Sequence, residues 1–181
     1  MAWTTPRDWT GGEFVTEAMM DTHVRDNQLA MGPHLIVRKP SDESVASSTT
    51  PQNDDHLLLS VGASEVWLTQ WIIRFTAVST AVGIKLSWAF PASGAVSTSF
   101  PFATAAGTFV VHTITGSANP STALDVGAPG SGTDVNTLVI PLIYIGAGSA
   151  GTLQLMWAQI SSKATATVVK ANSTLWAVKL A

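Results

Sequence analysis

The chain has 181 residues, enough for one sizeable domain and a short appendage but too few for two ordinary domains. Its net charge of −3 and its 9 lysine and arginine residues argue against nucleic acid as a partner, because phosphate binding requires clustered cations. The lack of cysteine excludes disulfides and thiolate chemistry. No apolar run approaches the roughly 18 residues of a membrane span, and the N-terminus does not have the pattern of a signal peptide.

The composition also predicts a surface that is poor in charge. Charged residues make up 12% of the chain, whereas 22 threonines and 18 serines are present. A surface of hydroxyl groups, Ala and Gly with few charges resists association poorly. Either neighbouring subunits cover much of it, or the protein presents a neutral, Thr-rich β surface to water. The composition favours the first alternative.

The first predicted elements are an extended arm and one helix, together residues 1–33. Residues 1–12 contain two tryptophans, a proline and a Gly-Gly pair, which is typical of an arm that does not pack by itself. Thr16 is the expected N-cap, and Gly32 with Pro33 ends the helix after about four turns. Side chains recurring at spacings of three, four and seven predict an apolar stripe: Val15, Met19, Met20, His23, Val24 and Met31.

From residue 34 the apolar pattern changes to the period of β-strands. Strands are predicted at 34–40, 44–48 and 56–61. The next run, VWLTQWIIRFTAV, is apolar on both faces, which predicts a central strand that is buried on most sides. The alternation in GIKLSWAF then predicts a strand that points four side chains inward: Ile84, Leu86, Trp88 and Phe90.

The second half of the chain continues this pattern: a loop rich in Pro, Ser and Gly follows Phe90, and TFVVHTIT is the next predicted strand. GSANPSTALDVGAPGSGT, residues 116–133, is the longest predicted loop. VNTLVIPLIYI and GTLQLMWAQIS are two strong strands, and the connecting GAGSA predicts a hairpin. Two further strands, in TATVVKA and STLWAVKL, follow. In total, eight to ten short strands predict an all-β fold, an antiparallel β-sandwich of jelly-roll type over residues 34–181, preceded by the arm and one α-helix.

No group of residues has the spacing of a catalytic, cofactor or metal site, so we predict a protein that is not an enzyme and holds no cofactor or metal ion. The four histidines lie far apart in the sequence and are expected at the surface or at sheet edges. NDDH at 53–56 and SDE at 41–43 are expected to be solvated acidic turns, because they lack the ligand spacing and the glycine of a calcium loop.

Seven tryptophans raise the question of carbohydrate binding, since an exposed ring can stack on a sugar. Trp3 and Trp9 lie on the arm, which has no core of its own. They are expected to be buried against the same subunit, a sister subunit or another protein. The other five alternate within predicted strands and are expected in the core: Trp67, Trp71, Trp88, Trp157 and Trp176.

The opening segment WTTPRDWTGGEFVTEAMMDTHVRDN resembles the N-terminal segment of many structural proteins of tailed-bacteriophage virions. Those proteins tend to have Trp-x-x-Pro-Arg-x-Trp, then Gly-Glu-x-Val-Thr-x-x-x-Met, then Thr-His-x-Arg-Asp-Asn. The β segment that follows also resembles the domain that often succeeds this segment. The matching positions are Trp3, Pro6, Arg7, Trp9, Gly12, Glu13, Val15, Thr16, Met20, Thr22, His23, Arg25, Asp26 and Asn27.

The resemblance implies a virion component that is made in the host cytoplasm: a head decoration (cement) protein, a head fibre or a tail fibre. It also implies self-association, commonly as a homotrimer, and binding to the major capsid protein or another virion protein. One domain with an arm favours capsid decoration, because host-binding tail fibres are often longer. The alternative is a tail or baseplate fibre protein whose sandwich binds a host-surface glycan.

A helix of about four turns is only marginally stable in water, so it must pack on a surface. We therefore expect the arm and helix to form a docking device that holds the protein to the particle or to sister subunits. The alternative is that the arm covers an open end of its own sandwich. The residues expected to form the docking surface are Trp3, Pro6, Arg7, Trp9, Phe14, Val15, Met19, Met20, His23, Val24, Arg25 and Met31.

Overall fold

The computed structural model describes residues 4–5, 7–27, 34–103, 108–117, 120–128 and 132–181, without the side chains of residues 34, 103, 109–110 and 112–115. The chain divides into two compact units, residues 1–34 and 35–181. The first contains helix α1 (Glu17–Met20) and a π-helical turn (Asp21–Arg25), and the second is built of β-strands. None of the described helices has the length and apolar character needed to cross a membrane.

Twelve strands form two antiparallel sheets in the described part of the chain. They are β1 (His34–Arg38), β2 (Glu43–Val45), β3 (Gln52–Val61), β4 (Val66–Thr76), β5 (Ile84–Ala89), β6 (Ala95–Ala103), β7 (Phe109–Gly116), β8 (Leu124–Val126), β9 (Asn136–Ile145), β10 (Gly151–Ala158), β11 (Thr167–Val169) and β12 (Thr174–Lys179). Sheet A has the order β1-β12-β4-β9-β6-β7, and β11 pairs with both β2 and β4. Sheet B has the order β3-β10-β5-β8.

The strand order is that of a jelly roll, so the predicted fold class is confirmed. β1, β12, β4 and β9 lie side by side in one sheet, and β3, β10, β5 and β8 lie in the other. This arrangement is that of two Greek keys wound into a double sheet. The strands outnumber the eight to ten predicted because β6 and β8 lie in segments that the sequence assigns to loops.

The β6–β7 hairpin is an addition to the eight-stranded jelly roll and extends sheet A beyond β9. β6 pairs with β9 only from Ala95 to Ser97. Continuing that register would place Ser99 opposite Pro141, which has no N–H to donate. The hairpin therefore separates from β9 at this point, where the hydroxyl of Thr98 donates to the carbonyl of Pro141.

Two predicted connections differ from those in the structure. The GAGSA segment does not form a hairpin, because β9 lies in sheet A and β10 in sheet B. Both strands point apolar side chains into the same core, one from each sheet, and the loop crosses the roughly 10 Å between sheets. The predicted long loop at 116–133 contains β8, which completes sheet B beside β5.

The space between the sheets is filled by aromatic and branched aliphatic side chains. Trp71, Trp88 and Trp157 are fully buried, and the ring centroids of Trp71 and Trp88 lie 6.1 Å apart in an edge-to-face contact. The prediction that strand tryptophans fill the core is thus correct for these three and for Trp67. It is wrong for Trp176, which is half-buried on the outer side of sheet A, because its neighbours Leu175 and Ala177 are the buried residues of β12.

The prediction that β4 is buried on most sides is wrong for one of its two faces. Trp67, Thr69, Trp71, Ile73 and Phe75 are buried between the sheets. The alternate residues face outward and are half-buried or exposed: Val66, Leu68, Gln70, Ile72, Arg74 and Thr76. An apolar pattern on both faces indicated burial on both faces, but the residues that the structure describes fully bury only the inner face of β4.

A fully buried ion pair joins the two sheets at the end where β1 and β3 lie. The ammonium of Lys39 lies 2.8 Å from Asp54 Oδ2 and 2.5 Å from Glu43 Oε2, and neither Lys39 nor Asp54 is exposed to solvent. The predicted solvated acidic turn at 53–56 is therefore wrong, because it is part of β3 and its partner lies 15 residues away in the sequence.

Asp54 also holds an irregularity in β3. The β3–β10 register shifts between Gln154, which faces Leu58, and Met156, which faces Asn53. Asp54 Oδ1 accepts hydrogen bonds from the amides of residues 56 and 57, which the shift leaves without ladder partners. One carboxylate thus satisfies the bulged backbone and neutralises a buried cation.

Replacing Lys39 by methionine is expected to lower the free energy of unfolding by about 3–5 kcal/mol, because it leaves buried carboxylates without a counter-charge. Urea denaturation measures this loss. The control is Lys170→Met, which removes the solvent-exposed pair with Asp42 and is expected to cost less than about 1 kcal/mol. Equal losses for the two variants would contradict the assigned role of the buried pair.

Glu65 fastens the end of β12 to the start of β4. Its carboxylate accepts from the ammonium of Lys179 at 2.8 Å, the amide of Gly62 at 2.6 Å and the indole of Trp67 at 2.9 Å. These hydrogen bonds, that from Lys179 first, lower the pKa of Glu65 from 4.5 to about 2.

Because the pKa of Glu65 is depressed in the folded state, its contribution to stability is present above pH 4.5 and is lost as the pH falls toward about 2. We expect the melting temperature of the wild type to exceed that of Glu65→Gln at pH 6 and the gap to close near pH 2. Thermal melts across this range measure this difference in melting temperature. When both proteins also carry Lys179→Met, the difference is expected to be smaller. A gap that does not change with pH would refute the assignment.

Candidate functional site

The predicted docking surface lies in the first unit, and most of its residues are described. Trp3, Pro6 and Met31, which the sequence places on this surface, lie outside the described residues. The other nine predicted residues are Arg7, Trp9, Phe14, Val15, Met19, Met20, His23, Val24 and Arg25. Their geometry shows which side chains hold the arm together and which face outward.

The helix begins as predicted but does not continue as a regular α-helix. The hydroxyl of Thr16 accepts a hydrogen bond from the amide of Met19, which is the expected N-cap. After one α-helical turn the chain changes at Asp21 to a π-helical turn. The wider turn shifts the side chains that follow it relative to those of a regular α-helix.

Four polar and aromatic residues hold the arm in a folded shape. The guanidinium of Arg7 pairs with Glu13, with 2.5 Å between Nη2 and Oε1, and lies 5.1 Å from the centroid of the Trp9 ring. The edge of Trp9 meets His23 on the π-helical turn, with ring centroids 6.4 Å apart and an angle of 81° between the planes. Arg7, Trp9, Glu13 and His23 thus form one chain of contacts from the arm to the helix.

Asn27 closes the unit by binding the beginning of the arm. Its side-chain oxygen accepts from the amide of Thr4 at 2.9 Å, and its side-chain nitrogen donates to the carbonyl of Thr4 at 2.9 Å. The same nitrogen lies 3.3 Å from the carbonyl of His23. Asn27 is the buried residue of this unit among those described. Gly12 makes the turn between arm and helix at φ +84°, a conformation that glycine adopts without strain.

The apolar side chains of the unit face outward. Phe14 is 92% exposed and Trp9 46%, and Val15, Met20 and Val24 are exposed as well. Met19 is half-buried. Arg25 makes ion pairs with Asp21 and Asp26 at 2.9 Å each, and the hydrogen bond to Asp26 raises the pKa of its guanidinium. The exposed side chains of this unit are therefore largely apolar, whereas several of its polar side chains bind one another.

This division of roles could be read only in part from the sequence. Glu13 and Asn27 were not predicted as functional residues, although both are among the positions on which the proposed resemblance of the opening segment rests. The sequence feature that could have indicated these two residues is the motif, in which Arg, Trp, Glu, His and Asn occur at fixed spacing. These are the residue types that now make the internal contacts.

One other cluster has the residue types of a metal site. Ligand atoms of Glu43, Asp54 and His56 lie within 4.8 Å of one another. The ammonium of Lys39 is hydrogen-bonded to both carboxylates and supplies the positive charge that a cation would bring. The cluster is accordingly assigned to the buried ion pair, and no ligand chemistry is attributed to it.

Comparisons with protein-family models and with curated protein sequences find no match. Among solved structures, one of infectious bursal disease virus, Gt strain, is 7% identical with a TM-score of 0.22, and the match covers 82% of this chain and 37% of that one. The VP2 subviral particle of the same virus is 10% identical with a TM-score of 0.24, covering 81% and 40%. The chain spans about two fifths of the length of these proteins, and a likeness at these TM-scores supports no conclusion about function.

Replacing Asn27 by alanine is expected to release the arm from the helix, because three hydrogen bonds are lost. A loss of about 1.4 kcal/mol of local stability would make the amide of Thr4 exchange about tenfold faster. Hydrogen exchange read by NMR measures this. The neighbouring substitution Asp26→Asn removes only an exposed ion pair and is expected to change the rate less than about twofold. Unchanged exchange in Asn27→Ala would contradict the clamp.

Proposed function

We propose that the protein is a non-enzymatic structural component of a tailed-bacteriophage virion. It decorates the capsid as a cement protein or short head fibre, and it assembles there as an oligomer that docks through its N-terminal arm and helix. Its partner on the particle is the major capsid protein or another virion protein. The sequence resemblance of the opening segment supports the virion, and the geometry of the arm supports the mode of docking.

The observation that carries the docking proposal is the outward orientation of Phe14, Trp9, Val15, Met20 and Val24. Covering the exposed parts of Phe14 and Trp9 alone would remove about 250 Å² of apolar surface from water. At about 25 cal/mol/Å² this contributes about 6 kcal/mol before the cost of ordering the partners. Two exposed aromatic side chains on a preformed scaffold are the composition expected of an interface anchor.

The internal contacts of Arg7, Glu13, His23 and Asn27 strengthen the proposal. They fix the arm against the helix before binding, so less conformational entropy is lost on docking. The motif then has a physical meaning: its polar residues preorganise the unit, and its apolar residues bind.

The glycan-binding alternative finds no supporting observation in the described residues. The aromatic side chains of the sandwich that the structure describes are buried or half-buried, and stacking on a sugar requires an accessible ring face. The exposed aromatic residues, Trp9 and Phe14, lie on the arm.

Docking is tested with particles produced from a phage whose copy of this gene has been deleted. Wild-type protein is expected to bind them saturably, and Phe14→Asp is expected to bind at least about 30-fold more weakly, the loss of a residue worth about 2 kcal/mol. Co-sedimentation over a concentration series measures the affinity.

The matched control is Ala18→Asp, which adds the same charge at an exposed position next to the helix N-terminus and is expected to bind like the wild type. A protein lacking residues 1–33, shown by circular dichroism to be folded, is expected not to bind. Binding of that truncated protein as tightly as the full chain would refute docking through the arm.

A further inference from the structure

The two sheets present outer faces of opposite character. The outer side of sheet B includes the half-buried Leu58 and Met156 but is mostly polar, with the following residues: Ser60, Lys85, Asp125, Thr152 and Gln154. Sheet A carries aliphatic side chains on the outer side of β4, β9 and β12: Val66, Leu68, Ile72, Val139, Ile143, Ile145 and Val178. These seven residues are called the apolar patch below. The same chain thus builds one face for water and another that lacks a partner.

The strand register places patch residues of neighbouring strands side by side. Leu68 lies opposite Ile143 and Ile72 opposite Val139, and the β12 residue Val178 lies on the other side of Leu68. Directly opposed side chains on one face of a sheet are in contact range. Val139 and Ile145 are each 49% exposed and Ile143 is 39% exposed, so the patch is accessible, with Gln70 as the exposed polar residue between the two pairs.

A cavity of about 230 Å³ opens beside the patch where the β6–β7 hairpin leaves β9. Its walls include Leu68 and Ile143 of the patch, together with Pro141 and Ser97 to Ser99. The patch therefore has a recess that can accept an apolar side chain of a partner, as interface anchors require.

The charge on this face favours a second copy of the chain over a partner of strong charge. Arg74 is the one charged residue that β4, β9 and β12 place on the outer side, and its guanidinium donates to the carbonyl of Ala171. A face with almost no charge meets itself without repulsion, whereas an acidic or basic partner would find no complementary group.

The size of the face also fits self-association. The four strands β1, β12, β4 and β9, spaced about 4.8 Å apart, with about eight residues rising about 3.3 Å each, span about 19 Å by 26 Å, roughly 500 Å² for the centre of an interface. A stable interface of standard size takes about 800 Å² from each partner, with an apolar centre and a polar rim. Sheet A offers this arrangement, with the patch in the middle.

We propose that the outer face of sheet A is the surface through which copies of this protein bind one another. The inference deepens the proposed function, of which self-assembly is a part, by assigning that step to β4, β9 and β12 and leaving docking to the arm. Sedimentation of the purified full chain tests it without particles, so its failure is distinguishable from a failure of docking.

In sedimentation velocity, the wild type is expected to form an oligomer at about 10 μM, and Ile143→Glu is expected to associate at least about 100-fold more weakly. Thr152→Glu adds the same charge to the outer face of sheet B and is expected to sediment like the wild type. A monomeric wild type at about 100 μM, or an Ile143→Glu variant that associates as the wild type does, would overturn the proposal.

A second pair of variants avoids a new charge, in case the glutamate of Ile143→Glu disturbs folding and not only association. Because the chain has no cysteine, Ile143→Cys and Thr152→Cys each introduce one thiol. The thiol at position 143 is expected to react with a maleimide at least tenfold more slowly at high than at low protein concentration. The thiol at position 152 is expected to react at the same rate at high and at low protein concentration. Equal behaviour of the two thiols would contradict the proposal.

Discussion

The packing of the two sheets against each other is the constraint on which the rest of the molecule depends. Trp71, Trp88 and Trp157 are fully buried between the sheets, and the core cluster draws its members from Val45 to Ala177. The core that the structure describes is thus built from residues of the sandwich itself. The apolar side chains that remain outside this core, on the arm and on sheet A, are therefore available for binding.

The two exposed apolar regions are built by different physical means. On the arm, the polar contacts of Arg7, Glu13 and Asn27 fix a small unit that could not stand as an isolated helix. On sheet A, the strand ladder itself aligns Leu68 with Ile143 and Ile72 with Val139. A preorganised anchor and a flat neutral face suit the two different contacts that we propose, one to the particle and one to sister copies.

The sequence predicted the jelly roll because alternation and turn residues act locally. It did not assign strands to sheets: GAGSA has the length of a hairpin, yet β9 and β10 lie in opposite sheets. The prediction that Asp54 is a solvated turn residue was wrong because only the fold brings the ammonium of Lys39 close to it. At the candidate site the N-cap Thr16 was predictable from local pattern, whereas the π-helical turn and the Asn27 clamp depend on contacts between arm and helix.

We propose that the exposed aromatic side chains of the arm are buried by a different chain, and a density map of the intact virion at side-chain resolution is the sharpest test. The rings of Phe14 and Trp9 are expected to lie in apolar recesses of another virion protein or of a sister copy. A map in which both rings contact solvent, or only the sandwich of their own chain, would rule out docking through the arm.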